Sequence, residues 1–190
     1  MPPQLPRWTA LIALLLTACG TAQDVATPMK PTDAKASCLP DGSGFLRARL
    51  RGAIDADIDW RGAELSCEGG PRPDGSGSRL TIAGPLKGSQ QVLRFVFGID
   101  DAGSGGAGRN LATNITLIVE GAQALYATRG DDKCTTDRLQ QSAADAARPR
   151  QQRIEAHGFC TGPAASIDGT TRVLVETFDF ASLYTTEDPH

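Results

Sequence analysis

The chain predicts an all-β domain, an antiparallel β-sandwich of about eight or nine strands, with a jelly roll among its candidate strand orders. Three observations carry that prediction. From Phe45 to Trp60 apolar and polar residues alternate with the period of a half-buried strand. Short apolar runs then recur between loops rich in glycine, proline and aspartate. Four cysteines, Cys38, Cys67, Cys134 and Cys160, form an even set of the kind that staples small domains.

The first element is the most regular. Leu46, Ala48, Leu50, Ile54, Ala56, Ile58 and Trp60 occupy even positions, and Arg47, Arg49, Arg51, Asp55, Asp57 and Asp59 occupy odd ones. Two geometries satisfy this pattern. In a hairpin turning at Gly52-Ala53-Ile54, Arg51 faces Asp55, Arg49 faces Asp57 and Arg47 faces Asp59. In a single strand bent at Gly52 every apolar residue stays on one face, and that economy favours the bent strand.

Strands are then expected at Ala63 to Cys67, Arg79 to Ala83, Gln91 to Ile99, Thr113 to Glu120 and Ala122 to Thr128. Gly69 to Ser78 reads as a loop, as does Asp100 to Arg109. The run Val92-Leu93-Arg94-Phe95-Val96-Phe97 is nearly continuous apolar, as for a strand deep in the core. Asp137 to Arg148 permits a short helix ended by Pro149, although its apolar face is thin, and a mobile excursion fits the segment about as well. Strands resume at Arg153 to Cys160 and Thr171 to Ala181. Strand order does not follow from the spacing.

Of the three possible cysteine pairings, Cys38–Cys67 with Cys134–Cys160 is favoured, because each pair brackets one segment and sequential pairing is the simplest outcome of oxidation. Each bond would close a loop of about thirty residues or fewer, stabilising by roughly 3–4 kcal/mol. A zinc site is disfavoured by the lack of any Cys-x-x-Cys pair.

The first eighteen residues carry one charge, Arg7, then a short apolar run from Trp8 to Leu16 that ends in Leu16-Thr17-Ala18-Cys19-Gly20. A spanning helix needs about 20 apolar residues, so this run is a processing signal and not a membrane span. It resembles the bacterial lipobox. The resemblance implies cleavage before Cys19, acylation of Cys19, and residence in the bacterial envelope. Gly20, in place of an aspartate, points to the outer membrane facing the periplasm. Residues 19–37 lack an apolar period and read as a flexible tether. The expected division is therefore 1–18 signal peptide, 19–37 lipidated tether and 38–190 β-domain.

Function is constrained more by exclusion than by motif. The formal charge is −3 and becomes −4 with the loss of Arg7, without a long basic stretch, so nucleic acid is not an expected partner. No cofactor motif is present. Asp55, Asp57 and Asp59 lie some 6–7 Å apart along a strand, too far to share one cation, and read as a solvated charged face. Asp100 and Asp101 open the glycine-rich 100–110 loop and are weak metal candidates, because the loop matches neither an EF-hand nor a phosphate loop. His157 is the one internal histidine and lacks a Gly-x-Ser-x-Gly companion; His190 ends the chain. Trp60, Tyr126 and Tyr184 could make a sugar-stacking platform, but Trp60 shares the apolar face with Ile58. Asn114-Ile115-Thr116 has the form of a glycosylation acceptor, which a bacterial export signal makes irrelevant. The expected role is non-catalytic binding of an envelope protein or glycan, marked by an exposed apolar or aromatic patch. The alternatives are a secreted hydrolase using His157 or an acidic pair, and a calcium-stabilised sandwich.

Overall fold

The computed structural model describes residues 38–101, 107–122 and 124–186, and in these the prediction of an all-β, antiparallel, doubly disulfide-bonded domain holds. The segments expected to form a signal peptide (1–18) and a tether (19–37), Cys19 among them, and His190 lie outside the described residues.

β1 (Phe45–Gly52) and β2 (Ala56–Arg61) form a hairpin, not the single bent strand favoured from sequence. Its register joins Arg47 to Asp59, Arg49 to Asp57 and Leu50 to Ala56. The hairpin wins because the turn costs no burial: Ile54 remains in the core. Gly52 has φ +112°, and a side chain there would collide with the Arg172 carbonyl, so the turn closes against the strand that follows Arg172. The Ala53 N–H donates to that same carbonyl at 2.9 Å.

A meander of β3 (Ser66–Pro71), β4 (Ser78–Pro85), β5 (Val92–Ile99) and β7 (Leu111–Glu120) makes one layer. β3 runs later than the expected Ala63 to Cys67, and includes Gly69-Gly70-Pro71, which composition assigns to a loop. Proline is tolerated because β3 is an edge strand paired only with β4. The second layer is β2-β1-β12-β10-β9, built on β9 (Cys134–Ala143), β10 (Gln151–Cys160) and the fourteen-residue β12 (Arg172–Thr185). On one side the layers join, since β7 pairs with β9 and also, through β8 (Ala124–Ala127) and β11 (Ala164–Ser166), reaches β12. The short β6 (Ala107–Gly108) extends β9.

There are thus twelve strands among the described residues, more than expected. Hairpins join β1 to β2, β3 to β4, β4 to β5, β7 to β8, β9 to β10 and β11 to β12, whereas β1 pairs with β12 and β8 with β11 across long stretches of sequence. The segment 137–148, expected as helix or excursion, is largely the second half of β9. Its single large apolar residue, Leu139, is buried, and backbone pairing with β10 outweighs a helical propensity that had no apolar stripe to bury.

Alternate residues of both layers meet in one core. An aromatic chain crosses it, from Trp60 to Phe95 (5.8 Å, edge-on), to Phe97 (5.8 Å), and on to Phe180 (4.7 Å) and Phe178 (5.2 Å). The indole ring of Trp60 lies against Gly84 and its Nε1–H donates to the Pro85 carbonyl at 2.9 Å, so its polar atom is satisfied inside the core. The disulfides are Cys38–Cys67 and Cys134–Cys160, the pairing favoured from sequence.

Candidate functional site

The outer face of β2-β1-β12-β10-β9 collects most of the chemistry. Strand register sets Asp59, Arg47, Asp179, His157 and Arg138 in one row across five strands. The next row is Asp57, Arg49, Thr177, Phe159 and Thr135. Cross-strand ion pairs follow: Arg47 to Asp59 at 3.6 Å and to Asp179 at 3.4 Å, Arg49 to Asp57 at 3.7 Å, and Arg51 to Asp57 at 3.0 Å. The Arg61 guanidinium, hydrogen-bonded to Asp59, holds that carboxyl below its ordinary range, with Arg47 adding to the effect and slight desolvation opposing it. These groups are substantially solvent-exposed, so each pair contributes at most about 1 kcal/mol and the rows set orientation more than stability.

Two β-bulges place further carboxylates on this face. In β12 the register slips so that Glu176 is the extra residue; it lies 3.8 Å from Arg49 and 4.0 Å from Arg51. In β9 the extra residue is Asp137, since His157 pairs with Arg138 while Gly158 pairs with Thr136. A bulge breaks the in–out alternation, so two successive side chains can face the same way. Asp137 Oδ1 lies 2.8 Å from His157 Nδ1, which fixes the imidazole and leaves Nε2 without a hydrogen-bond partner among the described residues. Gly158 permits the tight pairing here, because a Cβ would strike the Thr135 carbonyl and the Phe178 ring.

His157 borders two shallow depressions. One, of 310 Å³, is lined by Arg47, Arg49, Asp57, Thr177 and Asp179; the other, of 430 Å³, by Arg109, Asn110, Asp137 and Arg138. A histidine oriented by a carboxylate is half of a hydrolytic triad. Among the described residues no hydroxyl is hydrogen-bonded to His157, and the four cysteines are held in disulfides. Sequence inspection found His157 but missed Asp137, twenty residues away; only the bulge brings them together.

The remaining candidates are dispersed. Asp55, Asp57 and Asp59 are the ion-paired solvent face expected of them. Asp101 is buried and accepts a hydrogen bond from Ser78 Oγ at 2.7 Å, whereas Asp100 is exposed. Residues 102–106 of that loop lie outside the described residues, and among the described residues no group of three acidic, histidine or cysteine side chains is placed to hold a metal. Trp60 and Tyr126 are buried, so the envisaged sugar-stacking platform does not form. Asn114 donates its amide to Asp131 at 2.5 Å. The large apolar side chains exposed among the described residues are Phe159, on the charged face, and Ile167, in the β11–β12 turn; they make no continuous patch.

One repeated signal was overlooked in the sequence. Asp41-Gly42-Ser43, Asp74-Gly75-Ser76 and Asp168-Gly169-Thr170 are three copies of one turn, in which the aspartate accepts hydrogen bonds from the backbone N–H and the hydroxyl two residues on. Comparison with protein-family models, curated proteins and solved structures returns no match for this chain.

Proposed function

We propose that the chain is a lipid-anchored protein of the bacterial cell envelope, held through Cys19 at the outer membrane and facing the periplasm, whose β-domain binds a protein partner without catalysis. The anchor is supported by the lipobox-like Leu16-Thr17-Ala18-Cys19-Gly20. The observation that carries the binding role is the outer face of β2-β1-β12-β10-β9, where arginines and carboxylates alternate in fixed rows with Phe159 exposed among them. Such a charge pattern contributes docking register and discrimination more than raw affinity. Tethering offsets modest affinity by raising local concentration. A protein is favoured over a glycan because two of the three aromatics that could stack on sugars are buried.

The test is cross-linking and pull-down from intact cells, comparing the native chain with Phe159→Ala and Arg49→Glu variants. Partners recovered natively and lost from both variants are the expected result; an unchanged capture set would remove this face from the function. Incorporation of labelled palmitate, abolished by Cys19→Ser, tests the anchor separately. A hydrolytic role is the second possibility, and the His157–Asp137 pair at 2.8 Å is its support. It predicts turnover of an ester or glycoside substrate that His157→Ala abolishes.

A further inference from the structure

β6 and β7 run in one register against β9: Ala107 pairs with Gln140 and Gly108 with Leu139, and after a gap Leu111 pairs with Thr136 and Ala112 with Thr135. The gap is Arg109-Asn110, and continuing the register sets Arg109 opposite Arg138 and Asn110 opposite Asp137. The pairing lapses just where β9 carries its bulge, and Asn110 takes a left-handed backbone (φ 52°). Two arginines are thereby set side by side across adjacent strands, an arrangement that is unfavourable without an anion between them.

No carboxylate among the described residues is ion-paired with either one. By contrast Arg47, Arg49, Arg51, Arg61 and Arg153 of the same layer have acidic partners, and Arg172, which is also without an ion pair among the described residues, does not line this depression. The groove's own carboxylate, Asp137, is engaged by His157 Nδ1. Two guanidinium forks, an amide and an imidazole thus border a 430 Å³ depression. Planar guanidinium donors match the oxygens of a phosphate group in bidentate fashion.

We propose that this groove binds a phosphate-class oxyanion, with Arg109 and Arg138 as its principal donors and Asn110 and His157 at its border. The ligand group is a free phosphate or monoester, or the headgroup of an anionic phospholipid. The proposal deepens the binding role given above by naming a ligand class, but its test needs neither the protein partner nor the lipid anchor.

The test uses the full chain carrying Cys19→Ser, with amide chemical shifts followed during titration by inorganic phosphate, and co-sedimentation with phosphatidylglycerol or phosphatidylcholine vesicles. Saturable shifts confined to residues 109–111, 136–139 and 156–158, with Arg109→Gln and Arg138→Gln each weakening binding about tenfold or more, are expected. Arg79→Gln, an exposed arginine of β4 outside the groove, should leave binding unchanged. Saturation by phosphate alone identifies a free phosphate or monoester. Arginine-dependent sedimentation with phosphatidylglycerol alone identifies a headgroup, and either result upholds the site. Absence of saturable binding to every probe overturns it, as does equal weakening by Arg79→Gln, which would mean diffuse attraction to basic surface. Equal thermal midpoints for all variants guard against misfolding. Loss of phosphate binding with the cross-linked partners retained would separate this site from the protein-docking face.

Discussion

Replacing Cys134 and Cys160 together by alanine asks how far a core of this size depends on its covalent ties. The two residues are paired in register at the end of the β9–β10 hairpin and are separated by 26 residues. In the chain-entropy model, freeing a loop of that length returns about 12 cal/mol/K to the unfolded ensemble, or about 3.5 kcal/mol at room temperature. Both side chains are buried but small, so the cavity left by removing sulfur adds little. Against a typical total of about 5–15 kcal/mol, the loss is severe but survivable. Urea unfolding is the assay, and the protein supplies its own probe. Of the two tryptophans only Trp60 lies in the domain, so fluorescence reports its core directly. The transition should move to lower urea with a somewhat larger slope, because the uncrosslinked chain exposes more surface. The Cys38–Cys67 pair, 29 residues apart, should cost about the same, near 3.6 kcal/mol. A loss under about 1 kcal/mol for either pair would refute the loop-closure account.

The remaining predictions concern packing, acid and metal. Trp60→Ala should cost about 3–5 kcal/mol by circular dichroism melts; Trp60→Phe should recover much of that yet strand the Pro85 carbonyl without its donor, at about 1–3 kcal/mol. Gly158→Ala should cost about 1–3 kcal/mol through collision with Thr135 and Phe178, and should also shift the His157 resonances; an unperturbed histidine would mean that the bulge is not what positions it. Hydrogen bonds from the serine or threonine hydroxyls and backbone N–H groups of their turns hold Asp41, Asp74 and Asp168 below the ordinary carboxylate range, the first cause being Ser43, Ser76 and Ser166 respectively. Because the folded values are lowered, their contribution is complete above the unfolded value and is lost as pH falls through the folded one, so melting midpoints should hold to about pH 5 and decline below about pH 4. A decline beginning near neutrality would implicate other groups. Calcium and chelator should give equal melting midpoints, since Asp101 is already engaged by Ser78; a rise of several degrees with calcium would reinstate the 100–110 loop as a site.

What the linear sequence disclosed, and what it withheld, divides along physical lines. Patterns of period two were legible where one face is core and the other water, as in β1 and β2, and β5 was legible instead as a nearly continuous apolar run. Disulfide pairing was legible because each bond closes a local segment. The hairpin was misjudged because Ile54 was assumed lost to the turn, when the turn itself packs inward. β9 was missed because a bulge breaks its alternation between Thr136 and Leu139, erasing the period that would have identified it. The same bulge creates the His157–Asp137 pair, so the irregularity that concealed the strand also concealed the candidate site. The arginine pair at 109 and 138 could not have been found without the β6–β9 register. The Asp-Gly-Ser/Thr turns needed only a comparison of the chain with itself.

The pairing of β1 with β12 has a consequence for how the domain comes into being. Phe45 to Gly52 must wait for Val173 to Ala181, a partner more than a hundred residues later, before its second edge is satisfied. A chain emerging amino-terminus first would present the β1–β2 hairpin with one edge bare through most of its transit. Closing so long a loop before its contacts can repay the entropy makes for slow folding, in the millisecond-to-second range typical of such β topologies. Completion is gated by the last strand to arrive. A chain interrupted anywhere before Arg172 would leave Phe178 and Phe180 out of the core and expose the edge of β1, making it a substrate for quality-control proteolysis before it could become a stable shorter protein.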